Sequence, residues 1–203
     1  MRHVLSLSVL LLAPIASAQG ASSDTARYVS TFPQHPISQY RQRSGTDLVM
    51  VYLTSQRCGW SNRPEVKAAV DQAKVLLQSQ AEAEGMRFSA VGVLSDWDWR
   101  GAESFLSEAG YFDEIIAGRN AFTTGYSTYC LIAEGCESAT PMIRVFERDV
   151  TFRQTEGGAL KPVYGPVRYV VSVSGGSSPE ERPDQIRAWV AAGAPLNDDW
   201  ASD

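Results

Sequence analysis

The run Leu48 to Thr54 (LVMVYLT) constrains this chain more than any other feature. Its residues are apolar at odd and even positions alike, and Gly45 and Ser55 bound it. Successive strand side chains point to opposite faces, so a run with no polar parity has to be covered on both. The fold must therefore put a layer on each side of a central sheet. The next segment supplies one layer. Pro64 suits the first turn of a helix, where its missing N–H is not needed. Behind it Val66, Ala69, Val70, Ala73, Leu76 and Leu77 recur at helical spacing, and Gly85 predicts the helix end.

The alternation continues along the chain. Phe88 to Leu94 reads as a second buried strand. Arg100 to Ala109 reads as a short helix with Phe105 and Leu106 inward and Gly110 as its stop. Phe112 to Ile116 suits an edge strand, and Tyr126 to Ala133 a helix or turn. Met142 to Phe146 is a third main strand, and Thr151 to Val173 a further strand pair about Glu156-Gly157-Gly158. Ser178-Pro179-Glu180-Glu181 has the pattern of a capping box. Ile186, Trp189 and Val190 give a last helix an inward stripe that Gly193 ends. The expected fold class is α/β, a mixed central sheet with helices on both faces.

Residues 1–18 read as a secretory signal peptide. Arg2 and His3 precede an apolar run, Val4 to Leu12, that is too short to span a bilayer, and Ala16-Ser17-Ala18 is a cleavage pattern. No cysteine follows the cut to take a lipid, and no later stretch is apolar enough to span. The expectation is an exported chain, periplasmic or extracellular, with no membrane anchor in the mature form. Residues 19–46 then form a polar lead-in arm, 47–194 the folded domain and 195–203 an acidic tail. A net charge of −5 offers no basic footprint for nucleic acid and argues against adhesion to an anionic membrane. With three cysteines and two histidines, a multi-ligand zinc site is nearly excluded, and no metal or cofactor is expected.

Cys58 carries the chemistry. It falls between the end of a buried strand and the start of a helix, where unpaired N–H groups and the helix dipole favour a thiolate. Arg57 and Arg63 add positive charge nearby. The plainer reading is a small residue closing a strand. Cys130 and Cys136 flank Gly135 just before Pro141. In an exported chain they suit a structural disulfide, although Cys136 could instead resolve Cys58. Pro141 is either a cis proline that frees the Thr140 backbone beside Cys58 or an ordinary trans proline entering a strand. Trp60 either lines the mouth of the site or packs on the arm.

The segment LVMVYLTSQRCGWSNRPEV, followed by Ser138-Ala139-Thr140-Pro141 and MIRVF, resembles the thioredoxin superfamily. There a strand leads to C-x-x-C at a helix start, and a cis proline faces the cysteine. The stretch VGVLSDWDWRGAESFLSEAGYFDEIIAG is similar to the extra helix and strand of peroxiredoxins and cytochrome-maturation thioredoxins. The resemblance covers about Thr46 to Val190. It implies a thioredoxin-like domain with that insertion, Cys58 as nucleophile, and Trp60, Thr140 and Pro141 as substrate contacts. This chain departs from the pattern at Ser61, which replaces the second cysteine. A mixed disulfide on Cys58 would have no adjacent thiol to resolve it, though Ser61 can hydrogen-bond the thiolate. Cys-Gly-Trp-Ser also resembles the Cys-Gly-Phe-Ser of monothiol glutaredoxins.

The leading expectation is monothiol exchange with a protein or small-molecule thiol or disulfide, with Ser61 and Arg57 supporting the thiolate. A binding module that keeps the fold without turnover is the rival. A thiol peroxidase is the third reading: Ser55 stands where peroxiredoxins carry threonine, but Val51 replaces their upstream proline. Asp96-Trp97-Asp98-Trp99 reads as a solvated helix start with packed tryptophans rather than a calcium loop. His35 reads as a solvated residue of the arm.

Overall fold

β1 (Gly45–Thr54) is the middle strand of a five-stranded sheet. In this computed structural model the described residues are 44–120, 123–131, 140–158, 160–174 and 184–197, all within the unit Gln42–Asp203. From β1 the chain enters α1 (Pro64–Ala83) and returns as β2 (Arg87–Leu94), parallel to β1. A short α2 (Ala102–Ser107) leads to β3 (Glu114–Ala117), parallel to β2 at the edge. A helical turn α3 (Thr124–Tyr126) then runs into a π-helical turn (Ser127–Leu131). β4 (Met142–Gln154) enters antiparallel on the other side of β1, and β5 (Leu160–Ser174) pairs with it as a hairpin. α4 (Gln185–Ala191) closes the described fold. The strand order β3-β2-β1-β4-β5 makes a mixed α/β sheet flanked by helices, consistent with a thioredoxin-like mixed α/β fold.

β1 is buried as its composition demands. Leu48, Met50 and Tyr52 face α1 and α4, packing with Val70, Leu77, Ile186 and Trp189. Val49, Val51 and Leu53 face the opposite layer, with Tyr126, Tyr129 and Cys130. Each such aliphatic side chain removed from water contributes roughly 1.5–3 kcal/mol. Helix ends fall where the glycines stand. Gly85 has φ +71°, and Met86 N–H donates to the Ala81 carbonyl, a Schellman closure.

Several expected boundaries move. Gly45 and Thr46 belong to β1 rather than the arm, because they pair with Val150 and Asp149. The edge strand starts at Glu114, after a buried Phe112 that stacks on Tyr52. Met142 to Phe146 continues unbroken into the hairpin. The domain extends past residue 195: Leu196 packs on the core and Trp189 Nε1 donates to the Pro195 carbonyl at 3.0 Å. The capping box at 178–181 lies outside the described residues. Among the described residues no helix is long and apolar enough to cross a membrane.

Candidate active site

The pairing of Leu53 with Met142 builds the site. β1 ends and β4 begins at the same edge of the sheet, so Ser55 and Thr140 emerge side by side. A tight turn then folds the chain back, with Cys58 N–H donating to the Ser55 carbonyl at 3.1 Å. A second turn closes from Asn62 N–H to the Cys58 carbonyl, and the Asn62 side chain donates to the Gln56 and Cys58 carbonyls. α1 starts only at Pro64. The groups around the sulfur therefore belong to the 58–62 turn, not to the first turn of the helix itself.

Cys58 is a free, half-buried thiol whose Sγ donates to the Thr140 carbonyl at 3.0 Å. The Thr140–Pro141 peptide bond is cis. Burial pushes the thiol up. The Ser61 hydroxyl, the Ser61 N–H, the Thr140 hydroxyl and the Trp60 N–H oppose it and prevail, so Cys58 ionises below the ordinary range for its type. Donors that strengthen toward a charged sulfur outweigh the bond to the Thr140 carbonyl, which favours the neutral thiol. Ser61 is fully buried, and its Oγ lies against the sulfur without closing a hydrogen bond while the thiol is turned to Thr140.

Beside the sulfur opens a cleft of about 380 Å³ lined by Ser55, Arg57, Asp96, Trp97, Asn120 and Thr140, among others. Asp96 is its buried floor. It is 6% exposed and accepts from Ser55 Oγ at 3.0 Å and Gln56 N–H at 2.8 Å. This corrects the expectation of a solvated helix start, since α2 begins at Ala102. The tryptophans are not packed either: Trp97 is 64% and Trp99 68% exposed. Asp96 holds the 55–57 turn because the ends of β1 and β2 lie side by side in the parallel pair, which no local pattern reveals. Ser55 gives its hydroxyl to Asp96 and accepts from Arg57 N–H, so it is committed away from Cys58.

The structure brings Cys58, Ser61, Thr140 and Pro141 together and places Trp60 half-buried, with its N–H toward the sulfur. The Arg63 guanidinium lies 3.7 Å from the Trp60 ring centroid and pairs with Glu65. Arg57 is exposed on the cleft rim; the groups that depress the thiol are uncharged donors rather than Arg57 or Arg63. Cys130 is buried and disulfide-bonded. Cys136, its expected partner, and His35 lie outside the described residues. Sequence reasoning missed the anchoring role of Asp96 and the place of Asn120 on the cleft wall. Among the described residues no cluster of candidate metal ligands occurs. Comparison with models of known families, with curated proteins and with solved structures finds no match for this chain.

Proposed function

We propose that this chain is an exported thioredoxin-like protein that exchanges disulfides through Cys58 alone. The observation that carries the reading is the thiol held against Thr140 inside a ring of neutral donors that lower its pKa. The thiolate attacks one sulfur of a substrate disulfide, forms a mixed disulfide and releases the other sulfur as a thiolate. A thiol from outside then attacks the substrate sulfur and restores the Cys58 thiolate. Ser61 cannot take that step, and Cys130 is already bonded and buried. The cleft gives the substrate chain next to the reacting sulfur a polar, water-accessible bed. The engagement of Ser55 with Asp96 favours exchange over peroxide reduction, because no hydroxyl three residues upstream is directed to the sulfur.

The test is reduction of a small disulfide substrate with excess glutathione, comparing the wild type with Cys58→Ser. A rate that depends on Cys58 supports exchange. Equal rates eliminate it and leave the fold as a binding module.

A further inference from the structure

Arg57 and Arg119 flank the cleft beside Cys58, and neither has a carboxylate within ion-pair distance among the described residues. Arg57 is exposed on the rim. Arg119 is exposed next to Asn120, which lines the same cleft. The other cations nearby are paired, Arg63 with Glu65 and Arg100 with Asp98. In a chain of net charge −5, two guanidiniums left open at one site ask for an anion from outside. The acid that the cleft does contain, Asp96, is buried, and its oxygens already accept from Ser55 Oγ and Gln56 N–H.

The wall next to Arg119 is held in an unfavourable conformation. Gly118, Arg119 and Asn120 take φ of +88°, +63° and +55° in succession, a left-handed run that side chains disfavour. Asn120 N–H donates to the Asp96 carbonyl at 3.2 Å, and the Asn120 carbonyl accepts from Thr123 N–H at 3.1 Å. These bonds pin the run to the cleft floor.

We propose that this cleft is an anion subsite that selects disulfides carrying a carboxylate close to the reacting sulfur. Arg57 takes the carboxylate on its fork of N–H donors, and Arg119 raises the potential from the other wall. The inference deepens the exchange reading and rests on it for the reaction itself. The Cys58 thiolate forms a bond to one substrate sulfur, the substrate S–S bond breaks, and the other sulfur leaves with the electron pair as a thiolate. The carboxylate takes no part in that step and only holds the disulfide in place. Two sources offer the same chemistry: an acidic side chain beside a substrate cysteine, and the free acid of a small disulfide.

The first measurement does not depend on exchange. Cys58 in the full chain is alkylated with iodoacetate and with iodoacetamide at low ionic strength. Both reagents meet the same thiolate, so the ratio of the two rates cancels its pKa and reads the charge around it. Arg57→Gln is expected to lower the iodoacetate-to-iodoacetamide ratio about threefold. Arg153→Gln removes the same charge on the order of 30 Å away along β4 and is expected to keep the wild-type ratio. A ratio that Arg57→Gln leaves unchanged, or that Arg153→Gln lowers as much, overturns the subsite. The second measurement is the single-turnover reaction of Cys58 with two matched pairs of disulfides. One pair is dithiodiglycolate against bis(hydroxyethyl) disulfide; the other is a peptide disulfide with glutamate against glutamine beside the cysteine. A preference for the acidic member that Arg57→Gln abolishes supports the subsite, and the pair that shows it names the source. No preference in either pair, or one that survives Arg57→Gln, overturns it. If no disulfide reacts at all, the exchange reading fails, and the alkylation ratio still decides the anion subsite.

Discussion

Cys58 Sγ and the Thr140 carbonyl oxygen lie 3.0 Å apart although 82 positions separate them in the chain. Antiparallel pairing of β4 on β1 brings them together, since Met142 opposite Leu53 fixes where both segments leave the sheet. The contact therefore follows from the sheet register together with the turn that carries Cys58 back from the end of β1.

Thr140 offers the sulfur two groups of opposite effect. Its carbonyl accepts from the neutral thiol, and its hydroxyl supports the charged one. Thr140→Val keeps the shape and the carbonyl but removes the hydroxyl. The alkylation midpoint of Cys58 should rise, because one donor to the thiolate is lost. For a bond of ~1 kcal/mol the thiolate fraction well below the midpoint falls about fivefold. An unchanged or lowered midpoint would show that the carbonyl, not the hydroxyl, sets the balance.

Asp96→Asn should loosen the turn that carries Cys58. The carboxylate accepts from Ser55 Oγ on one oxygen and Gln56 N–H on the other. An amide turns an NH2 toward one of these donors and strands it in a buried place, at a cost of roughly 1–3 kcal/mol. The midpoint in urea should fall with an unchanged slope. Asp98→Asn is the control, because Asp98 is exposed and an amide oxygen can still accept from Arg100 N–H. Equal effects of the two changes would refute the anchoring role of Asp96.

Much of the scaffold was legible because its determinants are local. The parity of Leu48 to Thr54, Pro64 at the helix start and the left-handed Gly85, Gly110 and Gly193 each act within a few residues. Cys58 and Pro141 were legible as motifs. Asp96 was not, since the groups that bury it come from about forty positions upstream in Ser55 and Gln56. Tyr52 reads as packing in an apolar strand, and only the fold shows its phenol oxygen accepting from Thr54 Oγ1. Arg144 is similar. It sits in MIRVF at 1% exposure, and burial lowers its pKa, but Nη1 donates to the Tyr129 carbonyl from the facing layer.

Gly110→Ala should be far costlier than Gly101→Ala. Both glycines have positive φ, +84° and +73°, so each substitution carries about 1–2 kcal/mol of backbone strain. At Gly101 the nearest atom to an added methyl is Gln56 Nε2 at 3.5 Å, which is ordinary contact. At Gly110 the methyl would fall 1.8 Å from Asp71 Oδ1 and 2.7 Å from Lys74 Nζ. Asp71 has to swing out and give up Lys74, 3.4 Å away. Denaturation midpoints should separate the two variants clearly; coincidence would mean the Asp71–Lys74 pair contributes nothing there.

Lys74 predicts an unusual rise of stability with pH. Its ammonium is buried and donates to the Ala109 carbonyl at 2.5 Å and the Tyr111 carbonyl at 2.9 Å, at the C-terminal end of α2. Burial pulls its pKa down to about 8, with Asp71 pulling back. In the unfolded chain the lysine keeps a pKa near 10.4. Between these values the unfolded state holds a proton that the folded state has lost, so unfolding becomes harder as pH rises through the window. Below about 8 both states are protonated and the cost of the buried charge is constant. The ceiling on the gain is about 3 kcal/mol at ~1.4 kcal/mol per pH unit. Tyr52 acts in the opposite sense above about 10, because the unfolded phenol ionises first while the folded one is held up to about 12. Guanidinium unfolding at intervals from pH 7.5 to about 9.5 stays below that range. Wild type should gain stability over this span relative to Lys74→Met, which has no proton to lose. Parallel profiles for the two proteins would show that the ammonium is already as stable inside the fold as in water.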